Sequence, residues 1–137
     1  MPIASIVSRE QIENLIRHLN EVENARPSRT VEETVADIGK LIAHNAEGWI
    51  NGQRLESIAA ERELERALYG VLDDYHRNIE RIVVDPPFVS FSWIIRSVRR
   101  NLESSGCSII EVNDTVQILH SWMFFDPAPF KVAGIQV

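Results

Sequence analysis

The chain has 137 residues, of which 45% are hydrophobic and 25% charged, as is typical of one globular domain. Its net charge of −6 and pI of about 5.2 argue against a nucleic-acid-binding protein, which would carry a basic face. A single cysteine, Cys107, excludes an internal disulfide. No apolar run approaches the roughly 20 residues that cross a bilayer, and the N-terminus does not have the pattern of a signal peptide. We therefore expect a cytosolic protein with no membrane partner.

The first half of the chain carries helical patterns. Ser8 to Gln11 has the sequence of a capping box, and the apolar spacing that follows predicts a helix over about 9–24. A second capping box, Thr30 to Glu33, starts an apolar stripe that predicts a short helix ending near Ala43. Residues 48–52 read as a short strand that runs into a turn.

A third helix is predicted between Ser57, its candidate cap, and Tyr75. Its buried face would consist of Leu64, Leu68, Val71, Leu72 and Tyr75. His76 would then lie at the carboxyl end of this helix.

After Asn78 the hydrophobic period changes to two, which indicates strands. We predict strands over 79–84, 88–99, 107–112 and 115–125, with a turn at 101–106 and a hairpin turn or kink at Asn113-Asp114. Helices followed by a meander predict an α+β fold, with the helices packed on one face of a curved antiparallel sheet. The whole chain, 1–137, would form a single domain with its core at about 8–130.

This order of elements resembles the SnoaL-like branch of the nuclear transport factor 2-like superfamily. The local signals are Trp49-Ile50-Asn51-Gly52 before the third helix and the ending Trp122-Met123-Phe124-Phe125-Asp126-Pro127. The superfamily includes ketosteroid isomerases, polyketide cyclases, limonene epoxide hydrolases and scytalone dehydratase. The resemblance implies a cone-shaped α+β barrel with a deep apolar cavity, usually dimeric through the outer face of its sheet.

The positions where these enzymes carry catalytic acids are apolar in this chain. The place of the isomerase base falls on Trp49. The places of the arginine and aspartate of the epoxide hydrolases fall on Trp93 and Ile95, and that of the aspartate in the last strand falls on Met123. Asp114 falls approximately where isomerases use a protonated aspartate to bind the enolate oxygen. A carboxyl group kept neutral by burial can donate such a hydrogen bond. Alternatively, Asp114 is a turn residue beside Asn113.

Two further groups complete the candidate catalytic set with Asp114. His76 could relay a proton, because a neutral imidazole acts as a base near neutral pH, or it could simply complement the end of a helix dipole. Tyr75 could supply a hydroxyl in the pocket or be a core tyrosine. The four histidines have no metal-ligand spacing, and the chain has no phosphate-binding loop, so neither a metal nor a cofactor is expected.

Aromatic and apolar residues are expected to converge on one cavity, formed by Trp49, Phe91, Trp93, Ile95, Met123 and Phe125. Such a cavity suits a small hydrophobic ligand that resembles a polyketide, terpenoid or steroid. The corresponding function is cofactor-independent cyclisation, isomerisation or dehydration, as in secondary metabolism. The alternative is a non-catalytic ligand-binding or assembly module of the same fold.

A homodimer is also expected. Trp122 and Phe124 alternate with cavity-facing residues, so they would need cover on the other face of the sheet. His120 would face the same way, toward a partner subunit or solvent.

Overall fold

The structure, a computed structural model, describes residues 7–25, 28–55, 66 and 74–134. Helix α1 spans Arg9–Asn24, as predicted. The capping box is present: Ser8 Oγ accepts a hydrogen bond from Gln11 N at 3.1 Å, and Gln11 Oε1 accepts one from Ser8 N at 2.9 Å. Most of the predicted third helix, with Ser57, Leu64, Leu68, Val71 and Leu72, lies outside the described residues.

Helix α2 spans Val31–Gly39 and begins with the second capping box, on Thr30. The prediction that it continues to Ala43 is wrong. Strand β1 (Ile42–Ile50) begins there instead, because Ile42 pairs with Ile118 of a distant strand. Asn51 and Gly52 both have positive φ, at 50° and 84°, and connect β1 to the short strand β2 (Gln53–Arg54). The predicted turn at these residues is therefore confirmed.

Four strands form the expected meander: β3 (His76–Asp85), β4 (Phe88–Ser97), β5 (Leu102–Val112) and β6 (Ile118–Phe125). The predicted turn at 101–106 is wrong, because Leu102 already pairs with Ser97 and the strand runs on through Gly106. A short helix, α3 (Ala128–Val132), follows the meander.

The strand order is β2-β1-β6-β5-β4-β3 in one curved sheet that does not close. Neighbouring strands of the meander are antiparallel, whereas β1 runs parallel to β6. The expected α+β fold is confirmed, but the sheet is mixed rather than antiparallel throughout. The parallel pair arises because β1 reaches β6 through tertiary packing and not through a hairpin.

The two faces of the sheet differ sharply. The inner face packs against α1 and carries the buried residues of β4, namely Val89, Phe91, Trp93 and Ile95. The outer face carries the alternating residues. No helix within the described residues has the length and apolar content to cross a membrane.

Candidate functional site

A group of polar side chains is buried between α1 and the start of β3. This inner polar cluster consists of Asn20, Glu23, Tyr75 and Arg77. Tyr75 Oη donates to Glu23 Oε2 at 3.2 Å, and Arg77 Nη2 lies 3.2 Å from the same oxygen. Arg77 Nε donates to Asn20 Oδ1 at 2.9 Å. The exposed fractions of Glu23, Tyr75 and Arg77 are 8%, 5% and 3%, so a carboxylate and a guanidinium are both held away from water.

The fold positions this cluster through the last turns of α1. Asn24 Oδ1 accepts a hydrogen bond from Arg77 N at 2.7 Å, and Asn24 Nδ2 donates to Arg77 O at 2.9 Å. These two bonds fix the helix end against β3. The guanidinium carbon of Arg77 also lies 5.8 Å from the centre of the Phe91 ring, so the cation is placed over an aromatic face.

The carboxylate of Glu23 is held by two neighbouring side chains. Its Oε2 lies 3.2 Å from both Tyr75 Oη and Arg77 Nη2. A buried carboxylate that is held in place can take a proton from a neighbouring carbon or oxygen acid.

Trp93 forms the apolar centre of the inner face. Its exposed fraction is 1%, its Nε1 donates to Ser108 Oγ at 3.0 Å, and its ring lies against Gly106 of β5. The Phe125 ring is tilted against it at 6.2 Å, and Phe130 of α3 meets Phe125 edge-on at 5.2 Å.

One hydroxyl on this face is unpaired. Ser104 Oγ is buried and has no hydrogen-bond partner within the described part of the chain. A buried hydroxyl without a partner is costly, so this position is suited to a polar group that approaches from the interior.

Most of the predicted cavity residues do lie on the inner face. Phe91, Trp93 and Ile95 are buried there, and Met123 and Phe125 are half-buried. Trp49 is the exception, and its predicted position is wrong. It pairs with Trp122 on the outer face, where the two indoles stack at 5.2 Å and 8°, because β1 joins the sheet in parallel register with β6.

Two of the three predicted catalytic groups lie away from the inner face. Asp114 is exposed in the turn between β5 and β6, so the burial on which its role as a donor depended is not found. His76 does not end a helix; it is exposed at the start of β3 and pairs with Arg96 on the outer face. Only Tyr75 lies in the inner polar cluster.

Sequence reasoning missed Glu23 and Arg77, although each had a signal. Glu23 comes four residues after Leu19, on the buried stripe of α1. Arg77 comes two residues before Ile79, and such spacing places both on one face of a strand.

The outer face carries an unusual number of apolar side chains. We define the outer apolar patch as Trp49, Val83, Phe88, Ile109, Trp122 and Phe124. Val83 is 66% exposed, and Phe88, Ile109 and Phe124 are about 40% exposed. Strand pairing places Ile109, Trp122 and Trp49 side by side in one row across the sheet, and Ser90 separates them from Val83 in the same row.

A charged group borders the patch, centred on His120. Its Nδ1 lies 2.7 Å from Glu111 Oε1, and its Nε2 lies 3.7 Å from Glu47 Oε1. Arg54 pairs with Glu47 at 2.7 Å. The Trp122 and Trp49 rings are 5.9 Å and 6.2 Å from the imidazole. No metal-binding group of His, Cys, Asp and Glu occurs among the described residues.

Comparison with solved structures identifies the fold. The chain is similar to a protein from Jannaschia sp. assigned as a SnoaL-like polyketide cyclase, with a TM-score of 0.77, 10% identity and coverage of 97% of this chain and 96% of that one. It is also similar to AclR of Streptomyces galilaeus, assigned as a hydroxylase, with a TM-score of 0.76, 11% identity and coverage of 93% and 98%. A protein of Kribbella flavida assigned as a ketosteroid isomerase gives a TM-score of 0.66 and 20% identity, with coverage of 85% and 78%.

The chain therefore has the same fold as these SnoaL-like and isomerase-like structures. No protein-family model matches the sequence, and no curated protein matches it either. Because these neighbours differ in assigned activity and share little sequence, the fold alone does not select a reaction.

Proposed function

We propose that the protein is a cofactor-independent enzyme that moves a proton on a small, mostly apolar carbonyl compound held between α1 and the inner face. The observation that carries this proposal is the buried Glu23 carboxylate, which Tyr75 and Arg77 hold against the inner face. Trp93, Phe91 and Phe125 supply apolar surface for a flat ligand of polyketide, terpenoid or steroid type.

The chemistry follows from the position of a base in apolar surroundings. A proton leaves the carbon next to the carbonyl group and binds the Glu23 carboxylate, and the electron pair of the C–H bond forms an enolate. The protonated Glu23 then returns the proton to another carbon, which is an isomerisation, or to a departing hydroxyl group, which is a dehydration. In a cyclisation the enolate carbon attacks a second carbonyl of the same molecule, and the proton goes to the new alkoxide. Arg77 offsets the negative charge at Glu23, and Tyr75 orients the carboxylate.

A deuterium-exchange experiment tests the base without knowledge of the natural substrate. 1-Tetralone, a flat bicyclic ketone, is incubated with the protein in D₂O, and NMR follows deuteration next to the carbonyl. We expect exchange above the buffer rate, reduced about 100-fold or more in Glu23→Gln, since positioned acid–base groups contribute roughly that factor. Glu21→Gln, on the exposed side of the same helix, is the matched control and should retain the rate. Equal exchange in Glu23→Gln and wild type, with both variants folded, would contradict the proposal.

The alternative function is a non-catalytic binding or assembly module. Its support is that Asp114 and His76 are both exposed, away from the inner face. This alternative predicts that 1-tetralone protects the protein against thermal unfolding while no exchange above buffer occurs.

The assembled form that we propose is a homodimer joined through the outer apolar patch. Monomeric proteins rarely expose large apolar patches, whereas interfaces cover them. Charges of both signs border the patch, with Glu47 and Arg54 on one side and Arg81 and Asp85 on the other, as an interface between identical copies requires.

A further inference from the structure

We propose that His120 makes the association of two copies proton-sensitive: its protonation between Glu111 and Glu47 strengthens the dimer. This inference rests on the homodimer proposed above, and it concerns how that interface is regulated.

The imidazole ring of His120 lies between two carboxylates. Each ring nitrogen faces a carboxylate, Nδ1 toward Glu111 at 2.7 Å and Nε2 toward Glu47 at 3.7 Å. A neutral imidazole has one N–H and no charge, whereas the imidazolium donates a hydrogen bond to Glu111 and also forms an ion pair with Glu47. The exposed fraction of the His120 side chain is 28%, so water reaches it when the face is uncovered.

The net charge around His120 on each protomer depends on whether the imidazole is protonated. Glu111 on β5 and Glu47 on β1 are the carboxylates that face His120, and Arg54 on β2 offsets one of them. On the same row, β4 contributes the uncharged Phe88, and β3 contributes Asp85 beyond it. With His120 neutral, the group formed by Glu47, Glu111, His120 and Arg54 is therefore negative, and with His120 protonated it is neutral.

Dimerisation is disfavoured while this group is negative. Covering the outer face removes water from the carboxylates and brings the two negative groups of a dimer closer together, and both changes disfavour association. Protonation of His120 makes this group neutral, so that dimerisation buries no net charge. The Trp122 and Trp49 rings, at 5.9 Å and 6.2 Å, also attract a cation more strongly than a neutral ring once the site is dry.

Association should therefore take up protons. An imidazole changes charge within the range of pH 5 to 8, so the test compares pH 8 with pH 6. Sedimentation equilibrium of the full chain should give a dissociation constant that is lower at pH 6 by roughly tenfold or more, because each copy binds up to one proton.

Three variants test whether protonation of His120, and not another charge on the protein, causes the pH dependence of dimerisation. His120→Gln should dimerise with the same dissociation constant at both pH values. Glu111→Gln should dimerise at pH 8 nearly as tightly as wild type does at pH 6. His18→Gln, on the exposed side of α1, is the control and should keep the full pH dependence.

Three outcomes overturn the inference, and they are distinguishable. A chain that stays monomeric at both pH values contradicts the dimer and the switch together. A dimer with equal dissociation constants at pH 6 and pH 8, or with a pH dependence that persists in His120→Gln, contradicts the switch alone.

Discussion

Trp93 can lie flat against β5 only because residue 106 is glycine. A Cβ atom at Gly106 would lie 2.6 Å from two ring atoms of Trp93 and 2.5 Å from the carbonyl oxygen of Phe124. Neither the ring, which is wedged against Phe125, nor the backbone of β6 has room to move. The centre of the inner face thus depends on one glycine in a strand, where glycine is otherwise unfavourable.

Gly106→Ala is therefore expected to destabilise the fold by about 1–3 kcal/mol, the usual cost of overpacking a core. Urea unfolding followed by tryptophan fluorescence measures this. Gly48→Ala is the matched control and should cost much less, because its Cβ would make ordinary contacts, with Leu55 Cδ1 at 3.4 Å and the Ser121 carbonyl oxygen at 3.8 Å. Equal effects of the two substitutions would contradict the packing described for Trp93.

The buried ion pair between Glu23 and Arg77 can be tested by mutation. Arg77→Met leaves Glu23 without its cation in a site that water does not reach, and should cost about 3–5 kcal/mol in unfolding free energy. The double variant Glu23→Gln/Arg77→Met should cost less than the sum of the single variants, because the two residues share one interaction. Denaturant titrations of all four proteins measure the coupling.

The exposed pair Arg96–Glu103 is the control for this experiment. Its atoms are also close, at 3.0 Å, but its side chains are 48% and 63% exposed. Arg96→Met should therefore change stability by less than about 1 kcal/mol. A similar loss at Arg77 and Arg96 would show that burial does not strengthen the inner pair.

At the scale of elements, strand irregularities decide which residues face inward. The pairing of β3 with β4 shifts register between Ile79 and Arg81. Strict alternation would place Ile79 and Ile82 on opposite faces, yet both pack against the core. A period of two predicted the strand correctly but not this change of phase.

The connection between β4 and β5 depends on one aspartate. Asp74 accepts hydrogen bonds from the backbone N–H of Arg99, at 2.9 Å, and from the Ser97 hydroxyl. The Arg99 N–H, and to a lesser degree the Ser97 hydroxyl, lowers the pKa of Asp74, because both bonds favour the ionised carboxylate.

The sign of the pH effect follows from that direction. A lowered pKa in the folded state stabilises the fold above the ordinary aspartate pKa, and this stabilisation is lost as the pH falls through the folded value. Asp74→Asn should therefore lower the unfolding midpoint at pH 7, and the difference from wild type should shrink below about pH 4. Thermal unfolding between pH 7 and pH 2.5 measures it. Asp114→Asn, in the exposed turn between β5 and β6, is the control and should leave the curve unchanged.

At the scale of the whole molecule, the outer apolar patch predicts the oligomeric state. Light scattering at micromolar concentration should give twice the chain mass of 15.6 kDa. Trp122→Glu should give the monomer, since it places a charge in the covered row. Val98→Glu is the control: Val98 is 91% exposed in the turn after β4, outside the patch, and its variant should stay dimeric. A wild-type monomer would contradict the dimer.

The cytosolic location and the single-domain organisation remain predictions.

The sequence by itself determined the local elements that have a strong period or cap. The span of α1, both capping boxes, the Asn51-Gly52 turn and the buried face of β4 were all predicted, because neighbouring residues specify them. The order of these elements was also enough for the fold, including the helices on one face of a curved sheet.

Tertiary structure decided what neighbouring residues do not encode. Parallel pairing of β1 with β6 placed Trp49 on the outer face. Pairing with β4 made residues 102–106 part of β5, although they were predicted to form a turn. The inner polar cluster joins residues about 50 positions apart, such as Glu23 and Tyr75, so their contact depends on how α1 docks on β3. Local periodicity assigns a residue to a face, but only the packing of distant segments determines which side chains meet there.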